Sequence, residues 1–145
     1  MRSDFVVALH VMGFLAAVKG KPLSSKILAK TYGTNPVVVR RILAQLNEAG
    51  LVDSQRGVGG GTVLAKEPAD ISLRHVYEAI VGDAGILPRY PSGDNIPSKA
   101  LSRYLNGILA EAEEELLARL MQISVSEMDQ NVRSAISRML DEKNK

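Results

Sequence analysis

Residues 33–64 read GTNPVVVRRILAQLNEAGLVDSQRGVGGGTVL, and the organisation of the chain follows from this stretch. Thr34 or Asn35 can cap a helix N-terminus, and Pro36 suits the first turn, where its missing N–H costs nothing. Val39, Ile42, Leu43 and Leu46 recur at helical spacing and mark one buried face. Arg40, Arg41, Gln45 and Asn47 fall largely off that face. Gly50 stops the helix as a C-terminal glycine does. Leu51-Val52 and Thr62-Val63-Leu64 are short β-prone runs around Arg56-Gly57-Val58-Gly59-Gly60-Gly61. A short helix with basic residues on its free face, followed by a basic glycine-rich ribbon, has the form of a winged helix-turn-helix. Such a helix enters the major groove, and its ribbon reaches the backbone or minor groove.

Upstream, Phe5 to Val18 is apolar on nearly every side and reads as a buried helix rather than a signal peptide. One side would pack on its own domain, and a partner subunit is the simplest cover for the other. Gly20-Lys21-Pro22 ends that helix. Ser24 or Ser25 caps a short second helix with Ile27, Leu28 and Tyr32 apolar, and Gly33 turns the chain into the third. Downstream, Lys66 to Asp70 is a loop, and Ser72 caps a helix carrying Leu73, Val76, Tyr77 and Ile80 at helical spacing. Residues 83–97, rich in proline and glycine, form a linker or an irregular pocket-forming loop. Ser98 to Ile123 then runs without a Gly-Pro break, about 39 Å of helix.

Leu101, Leu105, Ile108, Ala112, Leu116 and Leu120 make an apolar stripe on that long helix, the pattern of a dimerisation helix. The alternative is a core helix of the same domain. A last amphipathic helix spans Ser126 to Leu140, with a frayed tail after it. The expected fold is mainly α with a small β-hairpin wing. A winged head at 1–82 precedes the linker at 83–97, and the dimerisation and terminal helices follow at 98–140.

The totals agree with this plan. A chain of 145 residues, 46% hydrophobic and only 4% aromatic, builds one domain with an aliphatic core and an appended element. Residues 1–82 hold ten Lys/Arg against six Asp/Glu, and residues 83–145 hold eight against ten. A basic first half and an acidic second half suit a DNA-binding head on a non-binding stem. Zero cysteines exclude disulfides, thiolate zinc sites and cysteine-ligated clusters. No apolar run is long enough to span a membrane, and a cytoplasmic location is expected.

Other signals have plain readings. The glycine run at 57–61 is followed by a strand, TVLA, so it is no phosphate loop, which needs a helix there. His10 and His75 lack a ligand partner at helical spacing and read as structural, although His10 could report pH at a dimer interface. Glu111, Glu113, Glu114 and Glu115 read as the solvated face of the long helix, able to pair with Arg103 or Arg119. No metal site, cofactor site or catalytic constellation can be assembled.

The ordered set Asn35-Pro36, Ala49-Gly50-Leu51-Val52, Arg56-Gly57, Gly59-Gly60-Gly61, Leu64-Ala65 and Ile71-Ser72-Leu73 resembles the Rrf-type winged-helix regulators of bacteria. That family includes the iron–sulfur regulator IscR and the nitric-oxide sensor NsrR, and the resemblance covers residues 1–140. It implies a homodimer crossed by the long helix, with two heads reading a pseudo-palindromic promoter site on double-stranded DNA, more as a repressor than an activator. It implies contacts at Asn35, Val37, Val38, Arg40, Arg41 and Arg56, and Ser24, Gly57 and Gly59 complete the expected DNA-binding set. Cluster-binding members carry three cysteines between the fourth helix and the dimerisation helix. This chain has none, so cluster sensing is not carried over. Val37 and Val38 stand where relatives often have a small polar residue and a tyrosine, so the DNA sequence read should differ. An unidentified small-molecule effector could act at the loop 83–98, through Arg89 and Tyr90. The alternative function is a winged-helix module that binds protein instead of DNA.

Overall fold

The computed structural model describes residues 2–145 and contains six α-helices and one β-hairpin. The helices are α1 (Arg2–Ala17), α2 (Ser25–Tyr32), α3 (Pro36–Glu48), α4 (Leu73–Ile80), α5 (Ile96–Met121) and α6 (Val125–Lys143). The strands β1 (Val52–Gln55) and β2 (Gly61–Leu64) pair antiparallel, in a register from Val52↔Leu64 to Gln55↔Gly61. Among the described residues no helix is long and apolar enough to cross a membrane.

Local chemistry explains the head. Ser24 caps α2, its hydroxyl accepting the Ile27 N–H at 3.1 Å, and Gly33 ends it in the left-handed conformation at φ 93°. Asn35 caps α3 by accepting the Val37 N–H at 2.8 Å, with Pro36 in the first turn. At the other end of α3, Gly50 takes φ 76°, and the Leu51 N–H returns to the Leu46 carbonyl at 3.0 Å. The Asn47 amide donates to the Val52 carbonyl at 3.0 Å, so the helix end sets the start of the hairpin. Leu23 and Thr62 exchange backbone hydrogen bonds, which ties the wing to the segment before α2.

The core lies between α1, α3 and α4, with Met12, Ile42, Leu46, Ile71 and Val76 all but inaccessible. Burying each such side chain contributes about 1.5–3 kcal/mol before the entropy cost of ordering it. Helix α6 of the same chain packs along α1 and supplies part of the second cover expected from a partner subunit. Gly13 of α1 faces Met128 of α6, whose Cε would be in ordinary contact, at 3.5 Å, with a Cβ at position 13. Arg133 also donates to the Ala17 carbonyl at 3.0 Å, which caps the end of α1. The tail is ordered as helix through Lys143, beyond the expected end. The α5–α6 junction crosses the segment before α4: Leu73 N–H donates to Ile123 O at 2.9 Å, and Val125 N–H to Ile71 O at 2.8 Å. Val125 is thereby fully buried in the core of the head.

The apolar stripe of α5 divides in two. Leu116 and Leu120 pack against the core of their own chain. Leu101, Tyr104 and Ile108, nearer its start, are exposed, Ala112 is exposed and Leu105 is half-buried.

Candidate nucleic-acid interface

Helices α2 and α3 and the hairpin enclose a cleft of about 480 Å³, whose lining includes Ser24, Ser25, Arg40, Asn47, Gln55 and Thr62. Arg40 Nε donates to the Ser25 hydroxyl at 3.4 Å, a long bond to a neutral group that leaves the guanidinium charge uncompensated. Arg56 follows β1 at the hairpin bend, exposed, and takes part in no ion pair among the described residues. The bend is tight. Gly57 and Gly59 take φ of 99° and 78°, and the Gly60 N–H donates to the Gly57 carbonyl at 3.0 Å. A Cβ on Gly60 would run into the Gln55 carbonyl, and one on Gly61 would lie 2.6 Å from that of Leu23. Glycine is therefore required for the wing to hold Arg56 and Val58 out in solvent.

The other residues singled out in the sequence divide by environment. The oxygens of Ser24 and Asn35 are occupied as helix caps. Val37 is 63% exposed on the outer face of α3, whereas Val38 leans on the core, because it stands four residues before the buried Ile42. Arg41 does not stand free: its Nη2 donates to both carboxylate oxygens of Asp4, at 2.8 and 3.0 Å. Sequence reading missed Ser25, Gln55 and Asp4 as neighbours of these arginines. Ser25 was in view as an alternative cap, but Asp4 is too distant in sequence for any local pattern to announce it. His75 is structural: it accepts the Ser72 N–H at 3.0 Å while Ser72 accepts its own, a reciprocal cap on α4. The His10 ring lies 4.6 Å from that of Tyr32, with Nδ1 2.9 Å from the Val6 carbonyl.

Glu113 holds the loop at 83–98 in place, which corrects the reading of this residue as solvated. Glu113 is 6% exposed. Its Oε1 accepts the Tyr77 hydroxyl and the Ile86 N–H, and its Oε2 accepts the Leu87 N–H at 3.3 Å. Its cationic neighbour is Arg89, 3.8 Å away, rather than Arg103 or Arg119. Burial alone would push the Glu113 carboxyl up, but these hydrogen bonds and the Arg89 charge outweigh it and hold the group below the usual carboxylate range. Burial, then the bond to Glu113, pushes the Tyr77 phenol up to about 12. Gly85, at φ 72°, lets the loop pass, since a Cβ there would lie 3.0 Å from Glu113 Oε1. Further on, the Asn106 side chain clamps both the N–H and the carbonyl of Tyr90.

The chain matches the Rrf2 family, described as an iron-dependent transcriptional regulator, over residues 1–131. The HTH-type regulator YwnA of Bacillus subtilis is 33% identical over 129 residues, covering 84% of this chain and 94% of that one. The HTH-type transcriptional regulator NsrR of the same organism is 29% identical over 125 residues, 86% of each chain. The solved structure of CymR, the global cysteine regulator of B. subtilis, superposes with a TM-score of 0.69 at 23% identity, covering 88% of this chain and 94% of that one. That last likeness concerns the fold alone. The residues present do not fit an iron or iron–sulfur centre: the chain has no cysteine, and no three His, Asp or Glu side chains gather among the described residues. A helix-turn-helix with a glycine-tipped wing, and a family match across most of the sequence, lead to one conclusion: this chain belongs to the Rrf2 family of transcriptional regulators, DNA-binding proteins rather than enzymes.

Proposed function

We propose that the chain is a homodimeric, cytoplasmic repressor that reads a pseudo-palindromic promoter site. The observation that carries this reading is the cleft between α3 and the hairpin, lined by the uncompensated Arg40, with Arg56 exposed at the bend of the same hairpin. In this reading Arg40 and Arg56 neutralise phosphates, Val37 meets a base edge or thymine methyl, and the wing follows the adjacent minor groove. The exposed Leu101, Tyr104 and Ile108 support α5 as the dimer contact, since an apolar face this continuous is costly to leave in water. The stem would set the spacing of the two heads, one turn of DNA or a multiple of it apart.

An effector, if one acts, would work at the loop that joins head and stem. Arg89 is exposed, 3.8 Å from Glu113, and Tyr90, Ser92, Lys99 and Arg103 lie around a depression of about 300 Å³. The deciding experiment selects bound sequences from a random duplex pool and measures their affinity by fluorescence anisotropy across about 50–200 mM salt. A palindrome bound with steep salt dependence is the expected result. A folded protein that ignores duplex DNA at low salt would replace this reading with a protein-binding winged module.

A further inference from the structure

The adjacent arginines of α3 are built differently. Arg40 meets only the neutral Ser25 hydroxyl of α2. Arg41 crosses to α1, where Asp4 receives both hydrogen bonds from a single nitrogen, Nη2. Asp4 is 19% exposed at its side chain and Arg41 is 56% exposed. A guanidinium has five donor hydrogens in a rigid plane. The two oxygens of one carboxylate lie too close together to take both diverging Nη2 hydrogens, so they share one. The other Nη2 hydrogen keeps an open two-pronged edge with Nε or Nη1, neither of which makes a hydrogen bond among the described residues. Arg41 also lies one helical turn beyond the exposed Val37, on the outward face of α3. A carboxylate that grips one end of a guanidinium fixes the plane of the rest. It also cancels much of the charge that would otherwise attract any phosphate.

We propose that Asp4 is a positioning residue for Arg41. It holds the free guanidinium edge for a base, so Arg41 sets sequence preference while Arg40 supplies sequence-independent affinity. This rests on the DNA-binding reading above. The paired arginine suits base readout because a planar fork matches the acceptor pair of guanine, and its reduced net charge lowers the affinity for non-cognate DNA.

The test uses the full chain with the selected duplex and a random duplex, each over about 50–200 mM salt. Arg40→Ala should weaken both duplexes by a similar factor and lower the salt slope by about one. Arg41→Ala should reduce the selected-to-random ratio about tenfold or more. Asp4→Asn should reduce that ratio too, but through tighter binding of the random duplex and a steeper salt slope, because the cation is released. Asp4→Glu should restore most of the ratio. Asp4→Asn should add nothing in the Arg41→Ala background.

A purely structural ion pair would lower the melting temperature and leave ratio and slope unmoved, and that outcome overturns the proposal. So does Arg41→Ala if it weakens both duplexes equally, a measurement that stands even where Asp4→Asn fails to fold. If the unmutated chain selects no duplex, the regulator reading falls, and the role of Asp4 falls with it. A wild type that selects DNA beside an unaltered Asp4→Asn variant removes the role of Asp4 alone.

Discussion

Two charged regions of this molecule are handled in opposite ways. At the junction of head and stem, Glu113 is buried and both its oxygens are occupied, by a phenol, two backbone amides and a nearby guanidinium. Along the cleft and the wing, Arg40 and Arg56 are exposed, and Arg40 has only one long neutral contact. A saturated buried carboxylate cannot recruit anything further, so its role is cohesion. Exposed cations with open donors contribute little to cohesion, because exposed ion pairs are worth about 0–1 kcal/mol at best. They retain their capacity for a polyanion.

The contrast can be broken at its buried end first. Glu113→Ala would remove the acceptor of the Tyr77 O–H and of the Leu87 amide from a buried site, while the Ile86 amide keeps the Tyr77 oxygen, an expected loss of about 3 kcal/mol. Thermal denaturation should then show the midpoint lower by about 10 °C, and a fall of only one or two degrees would mean that the junction is not a cohesive site. At the exposed end the largest effect is steric. Gly60→Ala forces a Cβ against the Gln55 carbonyl, so affinity for the selected duplex should drop about tenfold while the melting temperature moves by less than about 4 °C. Equal damage to stability would show that the wing tip belongs to the fold as much as to the DNA surface. Arg56→Ala is milder: affinity lower by about fivefold, salt slope smaller by about one, melting unchanged.

The smallest effect is one of pH. The lowered Glu113 carboxyl contributes stability that is present above the usual carboxylate range and lost as pH falls through it. The Tyr77 phenol, raised from 10.0 to about 12, contributes stability that is present below the lower value and lost as pH rises between the two. The stability difference between wild type and Tyr77→Phe should therefore stay constant from about pH 6 to 9. A slope inside that window, read by urea denaturation, would show that the junction titrates where these environments say it does not.

What the sequence made legible was local. Asn35, Pro36, the Val39–Ile42–Leu46 face, Gly50 and the glycine bend each act within a few residues, and each does what its chemistry implies. The start of α5 was misjudged by two residues, because Pro97 is tolerated in a first turn capped by Asn95. Glu113 was hidden inside an acidic run, although it stands four residues after Leu109 and four before Leu117, on the inward side of the helix. The long-range pairings left no such mark. The Asp4–Arg41 pair and the packing of α6 on α1 join residues far apart in sequence, and neither has a periodic or capping signature. The even spacing of the α5 stripe likewise concealed that its two halves have different neighbours.

Val125 reaches the core of the head only because the chain crosses back at Ile71, and this has a consequence during synthesis. A nascent chain exposes α1, the recognition helix and the wing well before the residue that closes their core has been added. Until then its apolar surfaces are open to chaperones and proteases. A chain truncated ahead of residue 125 should therefore be cleaved by proteases faster than the intact protein. The recognition surface becomes durable only once the stem helix has been made.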